Sequence, residues 1–412
     1  MPLRLFLFVL LVLGAVARAE ELSYRRDVQP IFTAKCVACH TCYDSPCQLN
    51  LGSGEGVQRG AHKRPVYNGL RTEAEEPSRL FLDAEGEAAW RRKGFQSVLE
   101  GGGQAALLAR MLELGRSQPL AHNARLPEDL EIGIGRQNSC PLPGEFEAFA
   151  RDNPRAGMPF AVTGLTDDEY ATLKQWLAQG APVDAAPLEP SSAEAAQIAD
   201  WERLLNAQDK RSRLVARWLY EHLFLAHLHF EGGAPGHFFQ LVRSRTPAGQ
   251  PVEPIATRRP DDDPGGDFHY RLRPIRDVIV HKTHITYPLG PQKLAQVREL
   301  FLAGDWQVAE LPGYGAQRRA NPFETFAAIP AQARYRFMLD NAEYFVRTFI
   351  RGPVCRGQIA MDVIRDHFWT LFQTPEQDRY LTDAQYRSEV TPLLALPGQL
   401  DVIAGLWGLW GT

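Results

Sequence analysis

Three observations predict a mainly α-helical chain in two domains, the second with some β-strands. Apolar residues recur at helical spacing on both sides of a proline-, alanine- and serine-rich stretch, Ala181–Ser192, and strictly alternating segments are confined to the region between Phe238 and Leu289. The chain's 412 residues exceed what one core usually absorbs, and a composition of 44% hydrophobic and 23% charged residues is ordinary for globular protein. A formal net charge of -4 and a sequence pI ≈ 6.3 remove the broad cationic field of a general nucleic-acid binder. Six cysteines are too sparse for a disulfide scaffold, so their positions carry more information than their number.

In chain order, residues 1–19 come first. Arg4, the apolar run Leu5–Leu13 and the small-residue end Ala15-Val16-Ala17-Arg18-Ala19 read as a secretory signal peptide cleaved after Ala19. The apolar run is shorter than the roughly 20 residues that cross a bilayer, an uncleaved anchor being the alternative. The mature protein is expected to be exported, soluble and oxidised.

The first domain is placed at residues 20–182. Asp27 is expected to cap a helix whose apolar face is Val28, Ile31 and Phe32, with Pro30 in the first turn. That helix leads into Cys36-Val37-Ala38-Cys39-His40, the Cys-x-x-Cys-His pattern that attaches a c-type haem. Two thiols on one turn can reach both vinyl groups of the porphyrin, and the adjoining imidazole then falls beneath the iron. A redox dithiol or half a zinc site are the alternatives for the cysteine pair. Downstream, Gly157-Met158-Pro159-Phe160 offers Met158 as the second axial ligand. A capping box at Thr166-Asp167-Asp168-Glu169 then opens a final helix through Tyr170, Leu173, Trp176 and Leu177, ended by Gly180. Helix, haem motif, methionine loop and capped helix occur in the order of a cytochrome c-like helical haem domain. A large insertion separates His40 from Met158, with helices expected near Ala88–Leu99 and Ala105–Leu114. Within it His62, His122 and Met111 rank below Met158 as ligands.

Cys42 and Cys47 are expected to form a local disulfide beside the haem, in preference to binding metal, while the pairing of Cys140 and Cys355 stays open.

Residues 183–196 are the expected linker, and 197–412 the second, mainly helical domain. Ala193–Phe230 reads as two helices with a break near Asp209, and Leu214–Phe230 as either a core helix or one that lies at a membrane interface or lines a channel. On such a helix His222 and His229 would share a face. Val278-Ile279-Val280 and His284-Ile285-Thr286-Tyr287 read as strands, and helices resume over Pro291–Leu302 and Ala331–Phe372. Arg243, Arg245, Arg258 and Arg259 are either lipid-phosphate ligands or ordinary surface groups. The apolar, glycine-punctuated end Gly405–Thr412 suggests that the chain stops before the fold does.

The residues resemble a known family. Cys36–Leu49, Arg59-Gly60-Ala61, Val66-Tyr67-Asn68-Gly69 and Leu107–Leu114 are similar to the periplasmic fatty acid cis/trans isomerases of Gram-negative bacteria. So are Tyr220–Leu228, Arg243-Ser244-Arg245-Thr246-Pro247, Thr257-Arg258-Arg259-Pro260 and Phe349–Gln358, which lie outside any generic cytochrome. The resemblance implies an enzyme that converts cis-unsaturated acyl chains of membrane phospholipids to trans without shifting the double bond. ATP and diffusible cofactors are not needed, and the product stiffens the membrane under stress. It implies one haem c held by Cys36 and Cys39, with His40 on the iron, and a periplasmic protein in peripheral contact with a membrane and with no obligatory protein partner. Family members are longer, so the chain reads as a C-terminally truncated copy. A physical route consistent with the family is withdrawal of electron density from the alkene by ferric haem, rotation in the weakened bond, and return of the electron. The rival readings are an exported c-type cytochrome transferring electrons within an oxidoreductase and, behind it, a haem-based sensor.

Overall fold

The computed structural model describes residues 21–41, 45–64, 76–120, 125–128, 130, 139–184, 188–279, 286–345 and 373–395. The signal-peptide region 1–19, Cys42, Val66–Gly69, His122, Val280, His284 and Ile285, Phe349–Gln358 with Cys355, and Gly405–Thr412 lie outside the described residues.

The molecule is helix-rich with one small sheet, and its buried apolar residues form two clusters. The first gathers Tyr24, Val28, Phe32, Val37, Leu108, Leu173 and Trp176. Its entry helix starts with a π turn at Tyr24–Val28 and continues as α1 (Gln29–Lys35). The N-cap is Ser23, not Asp27. Ser23 is extended, its hydroxyl accepts from the Arg26 N–H (3.1 Å), and Asp27 reaches back to accept from the Ser23 N–H (2.8 Å). A serine able to satisfy the first open N–H moves the helix start four residues earlier. The tilted and edge-on rings of Tyr24, Phe32 and Trp176 then lock this helix to α6 (Asp167–Ala178). Helix α6 has the expected capping box, Thr166 Oγ1 accepting from the Glu169 N–H and Glu169 from the Thr166 N–H, and ends at Gly180, whose φ is +87°.

Between α1 and α6 lie α2 (Gly54–Arg59), α3 (Gly86–Arg92), α4 (Leu107–Ser117) and α5 (Phe146–Asp152). Helix α3 is shorter than Ala88–Leu99, because Gly94 takes φ +89° and turns the chain back so that Gln96 bridges to Ala61. The expected Cys42–Cys47 disulfide is replaced by Cys47–Cys140, closed over a sequence separation of 93 with Cα atoms 5.7 Å apart. Cys47 and Gln48 both have positive φ, and this sharp turn carries Cys47 to Cys140 on the chain before α5.

The second cluster collects Trp201, Leu214, Leu219, Phe239, Phe301 and Phe337. Helices α7 (Ser192–Leu205) and α8 (Lys210–Leu223) break where expected, since Asp209 caps α8 by accepting from the Ser212 N–H (2.9 Å). Helix α8 does not run on to Phe230. The chain turns at Ala226 and His227–His229 becomes β1, where Leu228 pairs with Phe239 on one side and Tyr287 on the other. Ladder pairing on both sides outweighs the helical spacing of the leucines. The four-stranded sheet has the order β3-β2-β1-β4, with β2 (Phe239–Ser244) and β3 (His269–Pro274) antiparallel and β4 (Thr286–Pro288) parallel to β1. Val278 and Ile279 are not in a strand; the Val278 N–H donates instead to the Gly52 carbonyl (3.0 Å). Helix α9 (Pro291–Leu302) matches its expected bounds, followed by α10 (Ala316–Ala320), α11 (Pro322–Thr325) and α12 (Ala331–Asp340). Of the helix expected over Ala331–Phe372, residues 346–372 lie outside the described set.

Candidate functional site

The Cys36–His40 turn is built by α1 running out of helix. The Cys36 N–H still bonds the Phe32 carbonyl (2.8 Å), and the Cys39 and His40 N–H groups both fold back onto the Cys36 carbonyl (3.1 and 3.0 Å). Cys36 and Cys39 therefore sit on one turn, and both carry thiols. Cys36 is 9% exposed, and burial, followed by the neighbouring Cys39, pushes its thiol up to about 12. His40 is 7% exposed, and burial brings its imidazole down to about 4 against the opposing effect of its hydrogen bond, so the ring is neutral. Its Nδ1 lies 3.1 Å from the Leu49 carbonyl, which can only accept, so the proton is on Nδ1 and the lone pair on Nε2. Ser45 Oγ also donates to the Leu49 carbonyl (2.9 Å), and the Leu51 N–H donates to the His40 carbonyl (2.7 Å), fixing the loop that orients the ring.

This donor set fits a covalently attached haem: two thiols on one turn and a neutral imidazole whose outer nitrogen is committed to a carbonyl, leaving the other to a metal. Among the described residues no group of three or more His, Cys, Asp or Glu side chains suited to a metal ion occurs.

Met158 packs on the same cluster as Cys36, with Met111 of α4 beside it. The Met158 N–H donates to the Met111 carbonyl (2.9 Å), and Gly157 and Gly115 meet backbone to backbone, where a Cβ on Gly157 would fall 2.0 Å from the Gly115 nitrogen. Only glycine permits that approach, and it fastens the methionine loop to α4. The fold brings both methionines against the first core. His62 is held elsewhere: its Nδ1 accepts from the Arg64 N–H (2.9 Å), its ring lies 5.1 Å from that of Phe95, and burial, then the Arg64 charge, lowers its pKa.

The loop after His40 opens onto a cleft of ≈ 1610 Å³, larger than the roughly 300–1,000 Å³ of most ligand pockets. Thr41, Asn50 and Arg59 line it from the haem-motif side, Phe81 and Leu82 from the insertion, and Phe224, Leu225, Gln240 and Arg273 from the second core. Cross-links close its floor. Asn50 Nδ2 donates to Asp277 Oδ2 (3.0 Å), Arg276 pairs with Glu55 (3.3 Å), and Arg273 Nη1 donates to the Phe81 carbonyl (2.8 Å). Burial pushes the Asp277 carboxyl up to about 6, against hydrogen bonds from Ser53 and Asn50. Asp277, Arg273 and Asn50 were not legible as site residues, because no local motif marks them and they meet only after folding.

Other candidates take structural places. His222 lies on α8, stacks on Trp218 at 3.9 Å between centroids, and has Nδ1 against the Trp218 carbonyl (2.7 Å); burial brings it down to about 4. His229 is on β1, so the two share no helix face, and α8 is a core helix, with Leu214, Trp218, Leu219 and Leu223 buried. Arg243 is 1% exposed and donates to the Asp262 carbonyl (2.8 Å) and Thr257 Oγ1 (2.7 Å). Arg245 clamps the Pro264 and Asp267 carbonyls, and Arg258 pairs loosely with Glu76 (3.5 Å). Two of these four arginines therefore fasten loops, and the lipid-phosphate reading does not suit them.

The family model described as fatty acid cis/trans isomerase matches residues 75–412. No curated protein and no solved structure matches the chain. The matched segment begins after the Cys36–His40 turn and contains the sheet, the second core and most of the cleft lining, so the assignment is independent of the haem motif. The chain belongs to the fatty acid cis/trans isomerase family and is an enzyme of that reaction class.

Proposed function

We propose that the protein is an exported, haem-dependent isomerase, working in the periplasm at the membrane surface, that turns cis-unsaturated acyl chains of phospholipids into trans chains as an adaptation to membrane stress. The observation that carries this reading is the cleft: Thr41, the residue directly after His40, and the apolar Phe81 and Leu225 line one space. Cys36 and Cys39 would hold one haem c in a cytochrome c-like first domain spanning residues 20–182, His40 would ligate the iron through Nε2, and Met158 would supply a second ligand. Bound there, the haem supplies a reversible electron sink that lowers the double-bond character of an alkene without net redox change.

The chain's own residues do the rest. The Leu49 carbonyl holds His40 in the ligating tautomer. Phe32 and Val37, both fully buried, keep water from the Cys36–His40 turn. Phe81, Leu82, Phe224 and Leu225 offer apolar wall to an acyl tail, and no acid or base is needed at the bond, so the double bond keeps its position. Export is supported by the Cys47–Cys140 disulfide, which persists in oxidising compartments. Among the described residues no helix is long and apolar enough to cross a membrane. Leu225, 43% exposed at the cleft, is an apolar contact for a lipid surface.

Exported protein carrying Cys36→Ser and Cys39→Ser tests the reading. It is expected to lack covalent haem and to form no trans acyl product from a cis-monoenoic phospholipid, and full conversion by this variant would overturn haem dependence.

A further inference from the structure

The cleft is unevenly charged. Nine arginines line it against four carboxylates, Glu85, Glu189, Glu202 and Asp277. Five of the arginines, Arg79, Arg203, Arg258, Arg271 and Arg276, pair with a carboxylate, and Arg273 is not among them. Arg273, partly buried at the end of β3, donates from Nη1 to the Phe81 carbonyl (2.8 Å) and from Nη2 to Gln240 Oε1 (3.0 Å), both neutral acceptors. Its neighbours have carboxylates, Arg79 with Asp83 (2.7 Å) and Arg276 with Glu55 (3.3 Å). Arg273 has no carboxylate partner among the described residues, and two of its five N–H donors are used. Burial, then the charges of Arg276 and Arg79, brings its pKa down to about 10, so the site resists a further cation and favours an anion.

An uncompensated guanidinium in an otherwise ordered wall calls for a ligand with an oxyanion, and the apolar wall beside it calls for a hydrocarbon. Arg276 lies over the Phe81 ring at 4.6 Å, so the cationic group and the apolar surface are contiguous. We propose that Arg273, flanked by Arg79 and Arg276, anchors the oxyanion at the head of an amphiphilic acyl substrate, a fatty acid carboxylate or a phospholipid phosphate. This rests on the reading that the cleft holds the acyl chain. Arg273 is a specificity residue: it fixes where along the cleft the tail begins and takes no part at the double bond.

The test uses saturated lipids, which bind but cannot isomerise, so it is independent of whether the protein proves to be haem-dependent. Calorimetric titration of the exported protein compares palmitate with methyl palmitate, and a lysophosphatidate with the matching monoacylglycerol. Wild type is expected to bind at least one anionic member about 10- to 100-fold more tightly than its neutral partner, and the pair that shows the gap identifies the carboxylate or the phosphate as the source. Arg273→Gln is expected to abolish the gap while neutral-lipid affinity stays within about twofold, which also shows that the variant is folded. Equal affinity of wild type for both members of both pairs overturns the proposal without any variant. So does an Arg273→Gln protein that keeps the gap. Failure of the isomerase reading would instead show as absent conversion of a cis lipid by wild type, whatever these affinities are.

Discussion

The turn at His40 and the end of α8 at His222 hold an imidazole in nearly the same way but set it among different neighbours. Both rings are buried and neutral, brought to about 4 by burial, and both place Nδ1 against a backbone carbonyl, Leu49 in one case and Trp218 in the other. His222 is surrounded by rings, with Trp218 stacked at 3.9 Å and Phe337 and Phe345 edge-on at 5.9 and 6.0 Å. His40 follows two cysteines on a turn whose next residue lines the cleft. Burial and tautomer prepare an imidazole for ligation, and the neighbours decide whether it ligates. The contrast extends to the two cores: the first carries its legible chemistry on the Cys36–His40 turn, which precedes the family match, whereas the second lies within the match and carries no recognisable chemical motif.

The largest effect expected from breaking this comparison is at His40. His40→Ala should lower conversion of a cis-monoenoic phospholipid more than about 100-fold and alter the visible spectrum. His222→Phe should leave both intact and cost about 1–2 kcal/mol in denaturant unfolding, the order of a lost buried hydrogen bond. Equal loss of conversion in the two variants would erase the distinction between them. Cavity formation tests the two cores: Trp176→Ala in the first and Trp201→Ala in the second should each cost about 3–5 kcal/mol, both side chains being nearly fully buried. Calorimetry should show one transition shifted in either variant, because Asn50–Asp277, Glu55–Arg276 and Gly52–Val278 bind the halves together. Two transitions would show that the cores melt separately.

Removing the Cys47–Cys140 disulfide by Cys140→Ser should cost about 2–5 kcal/mol, since it closes a long loop. Asp277 gives a pH signature. Its folded-state pKa of about 6 lies above the ordinary 3.8, so its contribution is fully present below the unfolded value and is lost as pH rises through about 6. Asp277→Asn should therefore remove a fall in stability between about pH 4 and 6, on the order of 3 kcal/mol, read from urea midpoints across that range. An unchanged pH profile would show that the carboxyl is not held in its raised state.

Parts of both cores were legible because their signals are local. The Cys36–His40 spacing, the Thr166–Glu169 box, the break before Asp209 and the start of α9 at Pro291 each depend on a few adjacent residues. Misreadings arose where distant partners decided. Leu228 keeps helical spacing with Leu225, yet Phe239 and Tyr287 draw it into a sheet. Cys47 is five residues from Cys42, yet a positive-φ turn carries it to Cys140. The cleft residues Arg273 and Asp277 were invisible for the same reason, since their meaning lies in Phe81, Gln240 and Asn50 far away in sequence. One misreading was local: Asp27 looks like a cap, yet Ser23, four residues earlier, is better placed to be one. The smallest effects test a local signal alone: Thr166→Ala should cost about 1 kcal/mol and leave lipid conversion unchanged.

The most direct measurement is the conversion of a cis-monoenoic phospholipid to its trans form by the purified, exported protein in the absence of any electron donor, with His40→Ala alongside. The account predicts trans product from wild type, none from the variant, and a folded variant by circular dichroism. Undiminished trans product from a folded His40→Ala protein would contradict it.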